Sequence, residues 1–143
     1  MNDDTVKLIR ECDSGCKIAC DNISQMYGSL KDPAIKGVLE NYYGKHVSFS
    51  EQGGKMLLEK GKAQKYPSMM TKLMGTVTNG VKLTISKTPS TVSKLTIDGC
   101  AMGIKSVGQY LNKYTEASEE SRNLASNIIT TERQFMDEMI KYL

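Results

Sequence analysis

The chain has 143 residues, the size of one ordinary domain, so the sequence predicts a single domain. Apolar residues make up 39% and charged residues 24% of it, a balance that excludes intrinsic disorder. The net charge of +3 is too small to indicate a polyanionic partner by itself. No run approaches the ~18 apolar residues that a membrane span needs, and the N-terminus has no secretory signal pattern. We therefore expect a cytoplasmic protein.

Apolar residues recur at spacings of three and four, which predicts an all-α protein. Asp32 before Pro33, and Thr88 before Pro89, are typical helix starts, because an N-cap acceptor precedes a proline in the first turn. Ser118 is a suitable N-cap for the last helix. The predicted helices cover about 4–29, 33–62, 68–87, 90–113 and 119–142.

Two short connections divide these helices into pairs. A link of a few residues around 30–31 predicts an antiparallel hairpin, and a polar turn at 114–118 predicts a second one. Two hairpins joined by one long connection are typical of a four-helix bundle with a crossover. We therefore expect a four-helix bundle whose crossover carries the 68–87 helix.

The second half of the chain carries a recognisable pattern. It consists of Pro-Ser-Thr-Val at 89–92, Ile-Asp-Gly-Cys-Ala-Met-Gly-Ile at 97–104, Tyr-Leu at 110–111 with a tyrosine at 114, and Lys-Tyr-Leu at 141–143. Over residues 67–143 the chain resembles a small, functionally uncharacterised family of helical proteins from anaerobic Gram-positive bacteria, associated with ferritin-like bundles. The first 66 residues match that family only in helix layout. The resemblance implies a ferritin-like four-helix bundle with two antiparallel hairpins joined by a helical crossover, and a cytosolic setting, and it implies no activity.

The residues needed for ferritin-type chemistry are missing. A di-iron centre in such a bundle takes a Glu from each of two helices and a Glu-x-x-His from each of the other two. His46 is the single histidine of the chain, and Tyr43 stands three residues before it. The chain also has no phosphate-binding glycine loop and no nucleophile elbow. We predict a protein without enzymatic activity, catalytic residues or a cofactor, in which His46 is a buried, hydrogen-bonded imidazole beside Tyr42 or Tyr43.

Three cysteines share one face of the first predicted helix. Cys12, Cys16 and Cys20 recur at steps of four residues, and the hairpin is expected to place residue i opposite residue 61 − i, so that Cys16 is level with His46. Cys100 reaches a similar level if its helix runs parallel to the second. Zn²⁺ and Cu(I) prefer thiolate and imidazole ligands, whereas free cysteines are often plain core residues. Core packing and a soft-metal or thiol-redox site of Cys12, Cys16, Cys20, His46 and Cys100 both remain open. Four cysteines in a helical chain of this length indicate reduced thiols rather than a secreted disulfide framework.

The middle of the chain is basic. Residues 45–94 contain nine lysines and two glutamates, but the whole chain has three arginines and no tryptophan. Lysines spaced along a helix are usually a solvated face, so we do not expect a nucleic-acid or membrane-surface partner. Such binding would use the basic crossover lysines Lys65, Lys72, Lys82, Lys87 and Lys94.

Ten glycines fall inside the predicted helices, where each costs about 0.8–1 kcal/mol relative to alanine. Close helix packing must offset this cost. Gly99 and Gly103, four residues apart, leave a smooth strip for another helix, either within the chain or in a second copy. We expect a homodimer, and a role in protein association with an unidentified partner rather than catalysis.

Overall fold

The computed structural model describes residues 2–28, 30–62 and 88–143. No strand occurs within these ranges, so the prediction of an all-α protein is confirmed for the described part of the chain. Its helices are α1 (Asp3–Tyr27), α2 (Pro33–Glu59), α3 (Pro89–Lys113) and α4 (Glu119–Met139), and a 3₁₀ turn, Ile140–Tyr142, follows α4. The predicted 68–87 helix and the lysines at 65, 72, 82 and 87 lie outside the described residues.

A side-chain acceptor begins each of the four α-helices that the structure describes. The first backbone N–H groups of a helix have no partner within it, and a polar N-cap side chain supplies one. The predicted caps are confirmed: Asp32 accepts from the N–H of Ala34 at 2.9 Å, Thr88 from Thr91 at 3.2 Å and Ser118 from Ser121 at 3.2 Å. Asn2 likewise accepts from the N–H of Thr5 at 2.8 Å.

The second helix ends three residues earlier than the sequence predicts, and a glycine gives the reason. Gly61 has a φ of +69°, a left-handed conformation that L side chains rarely adopt. The N–H of Lys62 then turns back to the carbonyl of Leu57 at 2.8 Å, which satisfies a carbonyl left open at the end of the helix. The polar stretch that follows Glu59 therefore does not extend α2.

Buried apolar side chains form two clusters, one near each end of the bundle. The first cluster consists of Val6, Leu8, Ile9, Cys12, Cys16, Met56, Leu57, Val107, Ala117, Leu124, Ala125 and Ile128. The second cluster consists of Ile23, Met26, Leu30, Ile35, Leu39, Tyr42, Val92, Cys100, Phe135 and Met139. Burial of these side chains is the main favourable term in the folding free energy.

Membership of the two clusters gives the directions of the helices. Helices α1 and α4 begin at the first cluster and end at the second, whereas α2 and α3 run the opposite way. The described helices are thus two antiparallel hairpins, α1–α2 and α3–α4, and α2 and α3 are parallel. Lys62 and Thr88 consequently lie at opposite ends of the bundle. None of the described helices combines the length and apolar character needed to cross a membrane.

The register of the first hairpin differs from the prediction by two residues. The Cys20 thiol lies 3.9 Å from the carbonyl oxygen of Tyr43, and the Ser50 hydroxyl donates to the carboxylate of Asp13. Both contacts place residue i opposite residue 63 − i rather than 61 − i. The connection from Tyr27 to Pro33 would by its midpoint place residue i opposite 60 − i, so side-chain packing between the two helices, and not the connection, sets the register.

Backbone and side-chain hydrogen bonds join the start of α1 to the turn between α3 and α4. The Asn2 side chain donates to the carbonyl of Glu116 at 2.6 Å, and the N–H of Glu116 donates to Asp4 at 3.0 Å. The N–H of Ser118 donates to the buried hydroxyl of Thr5 at 2.8 Å. These bonds connect the two hairpins at one end of the bundle.

Candidate functional site

A buried polar layer crosses the middle of the bundle, where the two apolar clusters meet. Each helix contributes one residue to this layer: Cys16 from α1, His46 from α2, Cys100 from α3 and Glu132 from α4. Their exposed fractions are 1%, 1%, 3% and 7%, so the layer has almost no contact with solvent. Buried groups of this kind are stable only when they are hydrogen-bonded to one another.

The centre of the polar layer is an ion pair between His46 and Glu132. Nε2 of His46 contacts Oε1 of Glu132, and Nδ1 lies 2.6 Å from the carbonyl oxygen of Tyr42. Both ring nitrogens therefore face acceptors, an arrangement in which an imidazolium ion donates twice. Burial by itself lowers the pKa of His46, but the hydrogen bonds and the charge of Glu132 outweigh it and leave the pKa raised.

Neighbouring groups fix both partners of the pair. The ring of Tyr42 stacks on the ring of Phe135 with centroids 4.3 Å apart, and the Phe135 ring lies 6.4 Å from that of His46. Gly103 of α3 lies beside Glu132, since a Cβ at that position would be in ordinary van der Waals contact with Glu132 Cδ at 3.7 Å. The carboxylate is thus held between α2 and α3 as well as by its own helix.

All four cysteines are free thiols, and their environment keeps them protonated. Burial raises the pKa of Cys12 to about 12 and that of the half-buried Cys20 to about 11. Burial also raises the pKa of Cys16, with a smaller contribution from Cys12, and that of Cys100, with a smaller contribution from Glu132. The thiolate is the reactive form of cysteine, so none of these groups is an activated nucleophile.

The structure brings Cys16, His46 and Cys100 into one layer, but Cys12 and Cys20 lie one turn away from Cys16 along α1. Cys12, Cys16 and Cys20 follow one another along α1, and the imidazole of His46 is engaged by Glu132 and Tyr42. Within residues 2–28, 30–62 and 88–143, no group of three or more His, Cys, Asp or Glu side chains is placed to hold a metal ion. The candidate Zn²⁺ or Cu(I) site of Cys12, Cys16, Cys20, His46 and Cys100 is therefore not assembled by the described side chains.

A groove between α1 and α2 is the second polar feature of the molecule. It has a volume of about 410 Å³ and is lined by Lys17, Cys20, Asp21, Val47, Ser50 and Glu51. Beneath it, the buried carboxylate of Asp13 accepts from Lys17 at 2.8 Å and from Ser50. The Lys17 ammonium group balances the negative charge of Asp13, and the hydrogen bond from Ser50 joins α1 to α2.

The sequence singles out His46 and Cys100 as candidate site residues, but it does not single out Glu132 as their neighbour. Glu132 is one of several acids in the last helix. The signal that could identify it is its position, four residues after Ile128 and three before Phe135, which places it on the apolar stripe of α4. An acid on such a stripe indicates a buried partner on another helix.

Comparisons of the chain with protein-family models, with curated proteins and with solved structures find no match. A function for the molecule is therefore inferred from its own geometry.

Proposed function

We propose that this protein is a ferritin-like helical bundle of the cytoplasm that acts through protein association, as a homodimer, and not as an enzyme. The inward placement of its reactive side chains supports this proposal. His46 and Glu132 are paired with each other, and Cys12, Cys16 and Cys100 are buried and protonated. Groups so placed lie within the core and are not presented to a substrate.

The observation that carries the proposal is the exposure of α3, which the other described helices cover less than they cover α1. Five of the 25 residues of α3 are buried, whereas α1, of the same length, buries 11. Met102 is 44% exposed and lies on one side of α3 with Gly99 and the partly buried Leu95, whereas Ile97 and Ile104 lie on the opposite side. A small exposed apolar strip of this kind can serve as an association surface.

Gly99 adds a second property to this side of α3. A Cβ at Gly99 would have no atom within 4 Å, whereas one at Gly103 would contact Glu132 inside the bundle. The two glycines of the predicted strip therefore differ: Gly99 faces outward, and Gly103 faces the interior of the bundle. Gly99 and the neighbouring Met102 form the outward part, where the α3 helix of a second copy has room to approach closely in a twofold-symmetric contact.

Two further observations agree with the finer parts of the proposal. Helices α2 and α3 are parallel, so the end of α2 and the start of α3 lie at opposite ends of the bundle. A long crossover of the ferritin-like type connects two helices in this arrangement. Four free thiols are typical of a reducing compartment such as the cytoplasm.

Sedimentation equilibrium of the full chain tests the homodimer. We expect the wild-type protein to have about twice the monomer mass of 15.8 kDa and Gly99→Arg to have the monomer mass. Gly44→Arg is the matched control, since Gly44 also lies within a helix and a Cβ at that position would have no atom within 4 Å. A wild-type protein that stays monomeric, or a dimer that both variants weaken equally, would overturn the proposal.

A further inference from the structure

The ion pair of the polar layer connects the two hairpins. His46 belongs to the α1–α2 hairpin and Glu132 to the α3–α4 hairpin, 86 positions apart in the chain. The ion pairs Lys7–Asp3 and Lys17–Asp13, by contrast, each join neighbours on α1. The contact between His46 and Glu132 therefore depends on how one hairpin is placed against the other.

The surroundings of the pair make that placement specific. One turn along α4 from Glu132 lie Ile128 on one side and Met136 on the other. If α4 moved by one turn along α2, His46 would face one of these apolar side chains, and Glu132 would be buried without its partner. A buried charge without a partner is strongly unfavourable, whereas aliphatic side chains exchange one apolar neighbour for another at little cost.

Cys16 and Cys100, the other two members of the layer, cannot take the place of the His46 or the Glu132 charge. Cys16 and Cys100 approach Glu132 from α1 and α3, and burial keeps both thiols protonated. The imidazole of His46 is thus the group that balances the Glu132 carboxylate within the layer. The apolar clusters on either side carry no comparable requirement for one particular register.

We propose that the His46–Glu132 pair selects a single pairing of the two hairpins and is not a net source of stability. Single buried polar residues fix register and partner choice in other helical assemblies at a cost in stability. Apolar residues of similar volume in place of a buried ion pair are often neutral or stabilising, whereas removal of one partner alone is destabilising. In this molecule the two apolar clusters stabilise the bundle, and the polar layer between them makes its arrangement unique. This inference goes beyond the proposed association function and does not depend on it.

The test compares four variants of the full chain: His46→Leu, Glu132→Leu, the double variant with both changes, and the exchanged pair His46→Glu with Glu132→His. Urea unfolding gives the midpoint of each, and amide NMR spectra show whether one or several pairings are populated. Thr131→Val is the control, because it removes a buried polar group next to Glu132 without changing the pair.

We expect both single variants to unfold at lower urea concentration and the double variant to regain or exceed the wild-type midpoint. The double variant should show more than one amide signal for many residues, whereas Thr131→Val and the exchanged pair should show one set. A double variant with a single set of signals would overturn the proposal. So would a double variant that is unfolded or as unstable as the single variants, because the pair would then be a net source of stability.

Discussion

The charge state of His46 is determined by the two acceptors that its ring contacts. Its two ring nitrogens face the carbonyl oxygen of Tyr42 and the carboxylate of Glu132, and both contacts favour the imidazolium form. The sequence predicts a buried, hydrogen-bonded histidine beside Tyr42 or Tyr43, and the structure confirms the burial and the hydrogen bond, with Tyr42 as the neighbour. The carboxylate that balances its charge is visible only in the structure.

This environment predicts a pH dependence of stability. Because the pKa of His46 is raised above its ordinary value of 6.5 in the folded protein, folding favours the protonated form. Its contribution to the free energy of unfolding is fully present below about pH 6.5 and is lost as the pH rises through the folded-state pKa. Urea unfolding between pH 5.5 and 8.5 should show a decline for the wild-type protein that is weaker for His46→Leu with Glu132→Leu. Parallel curves for the two proteins would contradict the prediction.

The cysteines should differ in reactivity because they differ in burial. Cys20 is half-buried and borders the groove between α1 and α2, whereas Cys12, Cys16 and Cys100 are buried. A thiol-specific disulfide reagent at pH 8 should therefore modify Cys20 first, and slowly for a surface thiol, because its pKa is raised to about 11. The other three thiols should react only as the bundle opens. Cys20→Ser should remove the first phase, and Cys12→Ser serves as the control that keeps it.

At the scale of the helix, two glycines of α2 have opposite surroundings. Gly53 lies where α2 packs closely on its neighbours, and a Cβ there would be 3.3 Å from Ile9 Cγ2 and 3.7 Å from Leu124 Cδ2. Gly44 on the outer side of the same helix has no atom within 4 Å of that position. Close packing thus offsets the backbone-entropy cost of glycine at Gly53, whereas no packing contact offsets that cost at Gly44.

These surroundings predict different effects of alanine. Gly44→Ala should raise the free energy of unfolding by about 0.5–1 kcal/mol, because alanine loses less backbone entropy on folding. Gly53→Ala should give no gain or a loss, since the new methyl group has to displace the Ile9 side chain. Chemical denaturation of both variants gives the comparison. An equal gain at the two positions would show that α2 is not held closely at Gly53.

At the scale of the whole molecule, the two hairpins are joined at one end by the hydrogen bonds between α1 and the α3–α4 turn and at mid-height by the polar layer. The N-caps and the helix periods act within single helices, so they leave the pairing of the hairpins undetermined. The parallel course of α2 and α3 is a property of the assembled bundle. This course places Lys62 and Thr88, the described residues before and after 63–87, at opposite ends of the bundle.

The junction at the first end can be tested through Thr5. Thr5→Val keeps the shape of the buried side chain but removes the acceptor for the N–H of Ser118. We expect a loss of about 1–3 kcal/mol in the free energy of unfolding, because a partly buried N–H is left without a partner. Thr130→Val on the exposed side of α4 is the control and should change stability much less. Equal losses of unfolding free energy in the two variants would show that the hydrogen bond between Thr5 and Ser118 does not stabilise the bundle.

The sequence by itself determines the local features of this protein. The helical class, the caps at Asp32, Thr88 and Ser118, and the burial of His46 follow from apolar periodicity and cap chemistry, which act over a few residues. Only the tertiary structure decides that Glu132 faces His46, that Cys16 shares their layer while Cys12 and Cys20 do not, and that Gly99 faces outward while Gly103 faces Glu132. These features depend on the register and packing of helices far apart in the chain, and a shift of two residues in the register of one hairpin is enough to change which side chains meet.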